Sequence, residues 1–217
     1  TCTVASPTTV QAAPITTTTP VAPRTTLPPA VIPSTEARIA NEAFFDLVRI
    51  QEVWDLGYTG KGSVVAILDG QGFDISHPEF AGKILAEVCI AESGAEVLCP
   101  GGLEVVEGDG VSAYTPGTRH GTGVAGVVLQ FAPDVEFVFI NINPGGAGGT
   151  GTAHGIGYEW VAENAERYGI DVFVMSMGGE RLERAERDKG YERFCSKSGV
   201  GDYEDFLAMR SHGVVPV

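Results

Sequence analysis

Residues 63–72 read SVVAILDGQG, and this stretch decides the fold class. Positions 63–68 form a continuous apolar run rich in β-branched residues, as in a strand that is buried on both faces of a parallel sheet. Similar strand patterns at 135–142, 171–179 and 214–217 alternate with helical patterns. This alternation predicts an α/β fold with a mostly parallel central sheet, flanked by helices on right-handed crossover connections.

Four segments have helical patterns. The first has Ser34 or Thr35 as a cap and Gly57 as a stop, which predicts one helix between them. The second begins at about His120, and its apolar positions repeat with helical spacing. The remaining two helices are predicted at 153–169 and 203–213. The apolar face of the second helix is expected to consist of Val124, Val127, Val128 and Phe131.

The segment RHGTGVAG (119–126) allows two interpretations. Its glycines spell G-x-G-x-x-G, but a dinucleotide site needs a strand directly before the glycines and an acidic residue about 20 positions later. Neither is present. Glycine costs a helix about 1 kcal/mol relative to alanine, so Gly121, Gly123 and Gly126 require a reason. Close approach of the helix to a neighbouring backbone supplies one, and His120 then becomes the important residue of the segment.

Asp69 and His120 together indicate nucleophilic hydrolysis. Asp69 follows a buried strand, and parallel sheets gather their sites at the carboxyl ends of their strands. An aspartate that orients an imidazole enables the histidine to take a proton from a serine.

Composition divides the chain and excludes some partners. Residues 1–35 contain 11 threonines and 7 of the 13 prolines, which predicts a disordered linker or stalk, and residues 36–217 are expected to form one domain. The net charge of −14 disfavours nucleic acid as a partner. No apolar run reaches about 18 residues, so no membrane span is expected.

Cys89 and Cys99 bracket a short segment, where either a disulfide or two buried thiols would fit.

Four segments, in order, resemble the subtilisin-like serine proteases (subtilases, peptidase S8). They are 54–80 around the aspartate, 119–128 around the histidine, 131–142 after it, and 155–179 with the following helix and strand. The resemblance runs from about residue 48 to residue 217. It implies a three-layer fold and a serine-type endopeptidase acting on proteins or peptides. Asp69 would orient the base, and His120 would be the general base and then the acid.

The same resemblance implies which residues contact the substrate, whether a cofactor is needed and where the protein is located. Ser176, Met177 and Gly178 would pair with the substrate backbone and line one wall of the specificity pocket. Gly148 and Gly149 would lie on the opposite wall. No cofactor would be required, although a structural calcium ion would be compatible with the family. Glu79 stands where many relatives place a calcium ligand, but a solvated loop carboxylate is the preferred interpretation, and no metal ligand is predicted. The expected location is extracellular or cell-surface, and the oligomeric state is left open.

The chain departs from the family pattern at two places. The usual Asp-Thr/Ser-Gly is one residue longer here, Asp69-Gly70-Gln71-Gly72, with Asp74 as a competing carboxylate. The serine segment and the asparagine of the oxyanion hole are absent from the 217 residues, so both are expected beyond residue 217 and residues 1–217 alone are expected to be inactive. Ser176 is a weak alternative nucleophile because G-x-S-x-G is not satisfied around it. The alternative function is an inactive subtilisin-like binding or surface module.

Overall fold

A six-stranded sheet lies at the centre of the protein. The computed structural model describes residues 44–114, 118–145, 151–176 and 201–217. The strands are β1 Val64–Asp69, β2 Ile84–Ile90, β3 Val105–Glu107, β4 Glu136–Asn141, β5 Ile170–Val174 and β6 Val215–Pro216. The helices are α1 Ile50–Asp55, α2 His120–Phe131, α3 Gly151–Tyr168 and α4 Gly201–Ser211, with short 3-10 turns at Pro78–Phe80 and Pro100–Gly102.

The strand order is β3-β2-β4-β1-β5-β6. β1 pairs in parallel with β4 on one side and with β5 on the other, and β2 and β6 extend the parallel sheet outward. Only the pairing of β2 with β3 is antiparallel within the described sheet. The predicted mostly parallel α/β fold is therefore confirmed, and all six residues of β1 are buried as the apolar run required.

Helices cover both faces of the sheet and make three layers. On one face, α3 and α4 bury side chains against Ala66, Leu68 and Ile140. On the other face, α2 packs with Ile67 and Phe137. Two apolar clusters result, one on each side of the sheet, because alternate residues of each strand point to opposite faces.

The buried face of α2 differs from the predicted one. Gly121, Ala125 and Leu129 are its buried residues. Val127 is 54% exposed, so its place in the predicted apolar face was wrong. Val124 and Val128 lie beside this row of buried residues and pack, partly buried, against the same apolar cluster.

The predicted helix that ends at Gly57 is interrupted within the described residues. Residues 44–48 are helical, Arg49 adopts φ +55°, and α1 begins at Ile50. After this break, Trp54 donates a hydrogen bond to the carbonyl of Phe131 at 2.8 Å, which attaches α1 to the far end of α2. Gly57 has φ +88° after α1, as its predicted role as a stop requires.

β2 was not predicted, and it carries one end of a disulfide. Cys89 of β2 is bonded to Cys99, which confirms the disulfide rather than two thiols. Both cysteines are buried, with Ala91, in a small apolar cluster at the end of β2.

The predicted linker at 1–35 lies outside the described residues. Among the helices that are described, none is long and apolar enough to cross a membrane.

Candidate active site

Asp69 and His120 lie side by side at the carboxyl edge of the sheet. Asp69 is the last residue of β1, and its side chain is 1% exposed. Its Oδ2 lies 2.5 Å from Nδ1 of His120, the first residue of α2. The imidazole is 44% exposed, so the pair joins a buried carboxylate to an accessible ring.

The turn after β1 holds the Asp69 carboxylate from the other side. The backbone N–H of Gln71 donates to Oδ1 at 2.8 Å, and the carbonyl of Asp69 accepts from Ile142 N–H at 3.0 Å. Gly72 has φ +71°, and a Cβ there would lie 2.7 Å from the Ala113 carbonyl oxygen. Only glycine fits this position, since both the conformation and the space exclude a side chain.

Gly121 lets α2 lie close to the turn that follows β1. A Cβ on this residue would lie 2.5 Å from the carbonyl oxygen of Gly72 and 3.0 Å from Cγ of Asp69. Close approach of the helix to a neighbouring backbone is thus confirmed at Gly121. The same expectation was wrong for Gly123 and Gly126, where an added Cβ would meet no neighbouring atom within 4 Å.

The competing carboxylate, Asp74, is engaged elsewhere. Its Oδ1 accepts from the Ser76 hydroxyl at 2.6 Å and from the Ser76 N–H at 3.2 Å, which closes a local turn. Its backbone N–H donates to the Thr122 hydroxyl at 2.8 Å. The structure therefore pairs His120 with Asp69, and Asp74 supports the loop beneath the start of α2.

Gln71 is a site residue that sequence reasoning passed over. Its side-chain Oε1 accepts from the backbone N–H of His120 at 3.3 Å, and its carbonyl accepts from the Thr118 hydroxyl at 2.9 Å. The only signal in the sequence was the extra residue between Asp69 and Gly72.

The predicted substrate-binding residues are only partly described. Ser176 follows β5 and is exposed. Because β5 runs parallel to β1, its carboxyl end opens at the same edge of the sheet as Asp69. Met177, Gly178, Gly148 and Gly149 lie outside the described residues.

Over the described ranges, no three His, Cys, Asp or Glu side chains are grouped as a metal site would need. Glu79 is exposed, and its backbone N–H donates to His77 Nδ1 at 3.4 Å.

Comparison with known protein families identifies the family of this chain. A family model described as the Subtilase family (peptidase S8) matches residues 60–213. The chain belongs to the subtilase family. The sequence resemblance is therefore confirmed at the level of the family, which is a family of serine proteases whose substrates are proteins.

Two proteins that are similar to this chain are described as proteases. The chain is 32% identical to the minor extracellular protease Vpr of Bacillus subtilis (strain 168) over 142 aligned residues. This aligned region makes up 58% of this chain and 15% of that protein. A solved structure, of a cold adapted subtilisin-like serine proteinase, is 23% identical with a TM-score of 0.44, over 73% of this chain and 46% of the other. The chain thus spans less than half the length of either.

Proposed function

We propose that this chain provides the acid–base half of the active site of a serine endopeptidase. The observation that carries the proposal is the 2.5 Å contact between Oδ2 of the buried Asp69 and Nδ1 of the accessible His120. Because Nδ1 faces the carboxylate, Nε2 is the ring nitrogen left to take a proton from a nucleophile and return it to the leaving amine. This reaction needs no cofactor, and a calcium ion would be structural only.

The buried carboxylate argues against the alternative of an inactive binding module. Removing a charged carboxylate from water is costly unless it is paired and hydrogen-bonded. Asp69 receives a backbone hydrogen bond and the imidazole contact, so its burial is organised around the histidine. A scaffold that only binds a partner would gain nothing from this arrangement.

The nucleophilic serine and the asparagine of the oxyanion hole are proposed to come from chain outside residues 1–217. Ser176, Met177 and Gly178 are proposed to bind the substrate backbone, opposite Gly148 and Gly149. The proposed location is outside the cell. The similarity to the minor extracellular protease Vpr supports it, and so does the Cys89–Cys99 disulfide, because such bonds persist in oxidising compartments.

The test is hydrolysis of fluorescein-labelled casein by the intact protein and its variants. Asp69→Asn is expected to lower kcat by about four orders of magnitude, and His120→Ala by at least as much. Asp74→Asn is the matched control, since this carboxylate serves a local turn, and it should stay within about threefold of wild type. A serine-directed sulfonyl fluoride should abolish the activity.

Two results would contradict the proposal. One is an intact protein without casein hydrolysis, and the other is a protein whose hydrolysis survives Asp69→Asn and His120→Ala. Residues 1–217 alone are expected to be inactive. If they hydrolysed casein and Ser176→Ala abolished it, the nucleophile would be Ser176 instead.

A further inference from the structure

Gln71 connects the two members of the Asp69–His120 pair. Its N–H donates to Oδ1 of Asp69 at 2.8 Å, and its Oε1 accepts from the backbone N–H of His120 at 3.3 Å. Its carbonyl accepts from the hydroxyl of Thr118 at 2.9 Å. A single residue therefore contacts the acid, the base and the segment that leads to the base.

The start of α2 depends on this contact. The N–H of His120 is one of the first four in the helix, which have no partner within the helix itself. Arg119, at the N-cap position, makes no side-chain cap hydrogen bond. Gln71 supplies the missing acceptor from another segment, and it thereby fixes the backbone from which the imidazole projects.

The turn that carries Gln71 has little freedom to move. A Cβ on Gly72 would lie 2.7 Å from both the Ala113 carbonyl oxygen and Nδ2 of Asn141. On the opposite side, Gly121 lies against the Gly72 carbonyl. Because these neighbours enclose the turn at Gly72, they restrict the backbone from which the Gln71 side chain projects.

We propose that Gln71 is a positioning residue that sets the distance and angle between the Asp69 carboxylate and the His120 imidazole. The longer turn of this chain, with one residue more than the family's usual Asp-Thr/Ser-Gly, places a long amide side chain where it reaches the helix start. The kinetic consequence rests on the proposed protease function. The structural consequence does not, because the hydrogen bonds exist whether or not a serine completes the site.

The test compares three variants of the intact protein. Gln71→Met keeps the length of the side chain and removes the acceptor. Gln71→Glu keeps an acceptor and places a negative charge at a helix N-terminus, where it is favourable. Gln51→Met is the matched control, since it removes an amide that donates to Asp55 at 2.8 Å on an exposed helix.

Kinetics and a spectroscopic signal are measured for each variant. Gln71→Met is expected to lower kcat on casein-derived peptides about tenfold with KM nearly unchanged, because Gln71 orients the base and does not bind substrate. Gln71→Glu should recover kcat to within about threefold of wild type. In protein labelled with ¹⁵N-histidine, the low-field Nδ1–H proton of His120 should be lost or broadened in Gln71→Met alone.

Failure of this inference is distinguishable from failure of the proposed function. If Gln71→Met leaves both kcat and the His120 proton signal unchanged, or if Gln51→Met lowers kcat as much, Gln71 does not position the base. If the intact wild-type protein hydrolyses no casein, the proposed function fails and the proton signal alone decides. Loss of the His120 proton signal in Gln71→Met, with the signal retained in Gln71→Glu and Gln51→Met, supports the inference. Retention of the signal in all three variants overturns the inference.

Discussion

Gly121 lies so close to Gly72 that a single methyl group would not fit between them. The added carbon would be 2.5 Å from the Gly72 carbonyl oxygen, which is a backbone atom in an enclosed turn. Gly121→Ala is therefore expected to destabilise the protein by about 1–3 kcal/mol, because neither backbone moves without further strain. Urea unfolding measures the change.

Gly123→Ala is the matched control for this prediction. It lies one half-turn further along α2, where an added Cβ meets no neighbour within 4 Å. Alanine is the better helix former, so this variant should gain about 0.5–1 kcal/mol. Equal effects of the two substitutions would show that helix propensity, and not contact with Gly72, decides the outcome.

A second pair of glycines tests the packing of α3 on the sheet. A Cβ on Gly157 would lie 2.2 Å from Cδ1 of Leu68, a fully buried side chain of β1, whereas one on Gly155 would meet no neighbour within 4 Å. Gly157→Ala is expected to be less stable than Gly155→Ala by about 1–3 kcal/mol, because Leu68 must change its rotamer in a filled core. Thermal unfolding of the two variants side by side checks this. A difference near zero would mean that Leu68 adapts freely.

Removal of the Cys89–Cys99 disulfide should weaken the fold. The bond closes a short loop, with a sequence separation of 10, for which chain entropy predicts a loss of about 2–3 kcal/mol in the double variant Cys89→Ala/Cys99→Ala. Denaturant unfolding with and without a reducing agent is the measurement. Reductant should lower the stability of the wild type and leave the double variant unchanged. If the reductant destabilised both proteins equally, its effect would not act through the Cys89–Cys99 disulfide.

Tyr168 should make the protein sensitive to alkaline pH. Burial, and then the Glu107 carboxylate that accepts from its hydroxyl, raise the pKa of Tyr168 above its ordinary value of 10.0, while the Arg167 guanidinium opposes them. The folded protein thus keeps the phenol proton where the unfolded chain loses it. This stability is fully present below about pH 10 and is lost as the pH rises toward the folded pKa.

The measurement for Tyr168 is unfolding between about pH 9 and pH 11.5. Tyr168→Phe should show a shallower loss of stability with rising pH than the wild type. Tyr58→Phe, at a tyrosine that is 69% exposed, is the control and should follow the wild-type slope. If the Tyr168→Phe slope matched them both, the phenol of Tyr168 would not be the group that titrates.

Much of the fold could be predicted from the sequence because its central strands are unambiguous. β1 is an uninterrupted apolar run that ends at Asp69, and β4 has four consecutive apolar residues between Glu136 and Asn141; each strand proved buried along its whole length. β2 could not be predicted in the same way, since Glu87 interrupts its apolar pattern. That carboxylate accepts from the hydroxyl of the buried Ser112 at 2.7 Å, a partner 25 positions away that no local pattern indicates.

The site was only partly predictable for a similar reason. Asp69 and His120 are marked by their positions at the end of a strand and the start of a helix. Gln71 has no such mark, because its importance comes from a hydrogen bond to a residue 49 positions away. The break at Arg49 was likewise hidden, since its φ of +55° accompanies the docking of Trp54 onto Phe131, a contact across 77 positions.

The central position of β1 has a consequence for biosynthesis. Of the described strands, β1 is synthesised first, yet its two partners begin only at Glu136 and Ile170. Until both have left the ribosome, an apolar strand with two unpaired edges remains open to association with other chains. Substitutions that delay the pairing of β4 or β5 are therefore expected to reduce yield through aggregation, well before they change the activity of the molecules that do fold.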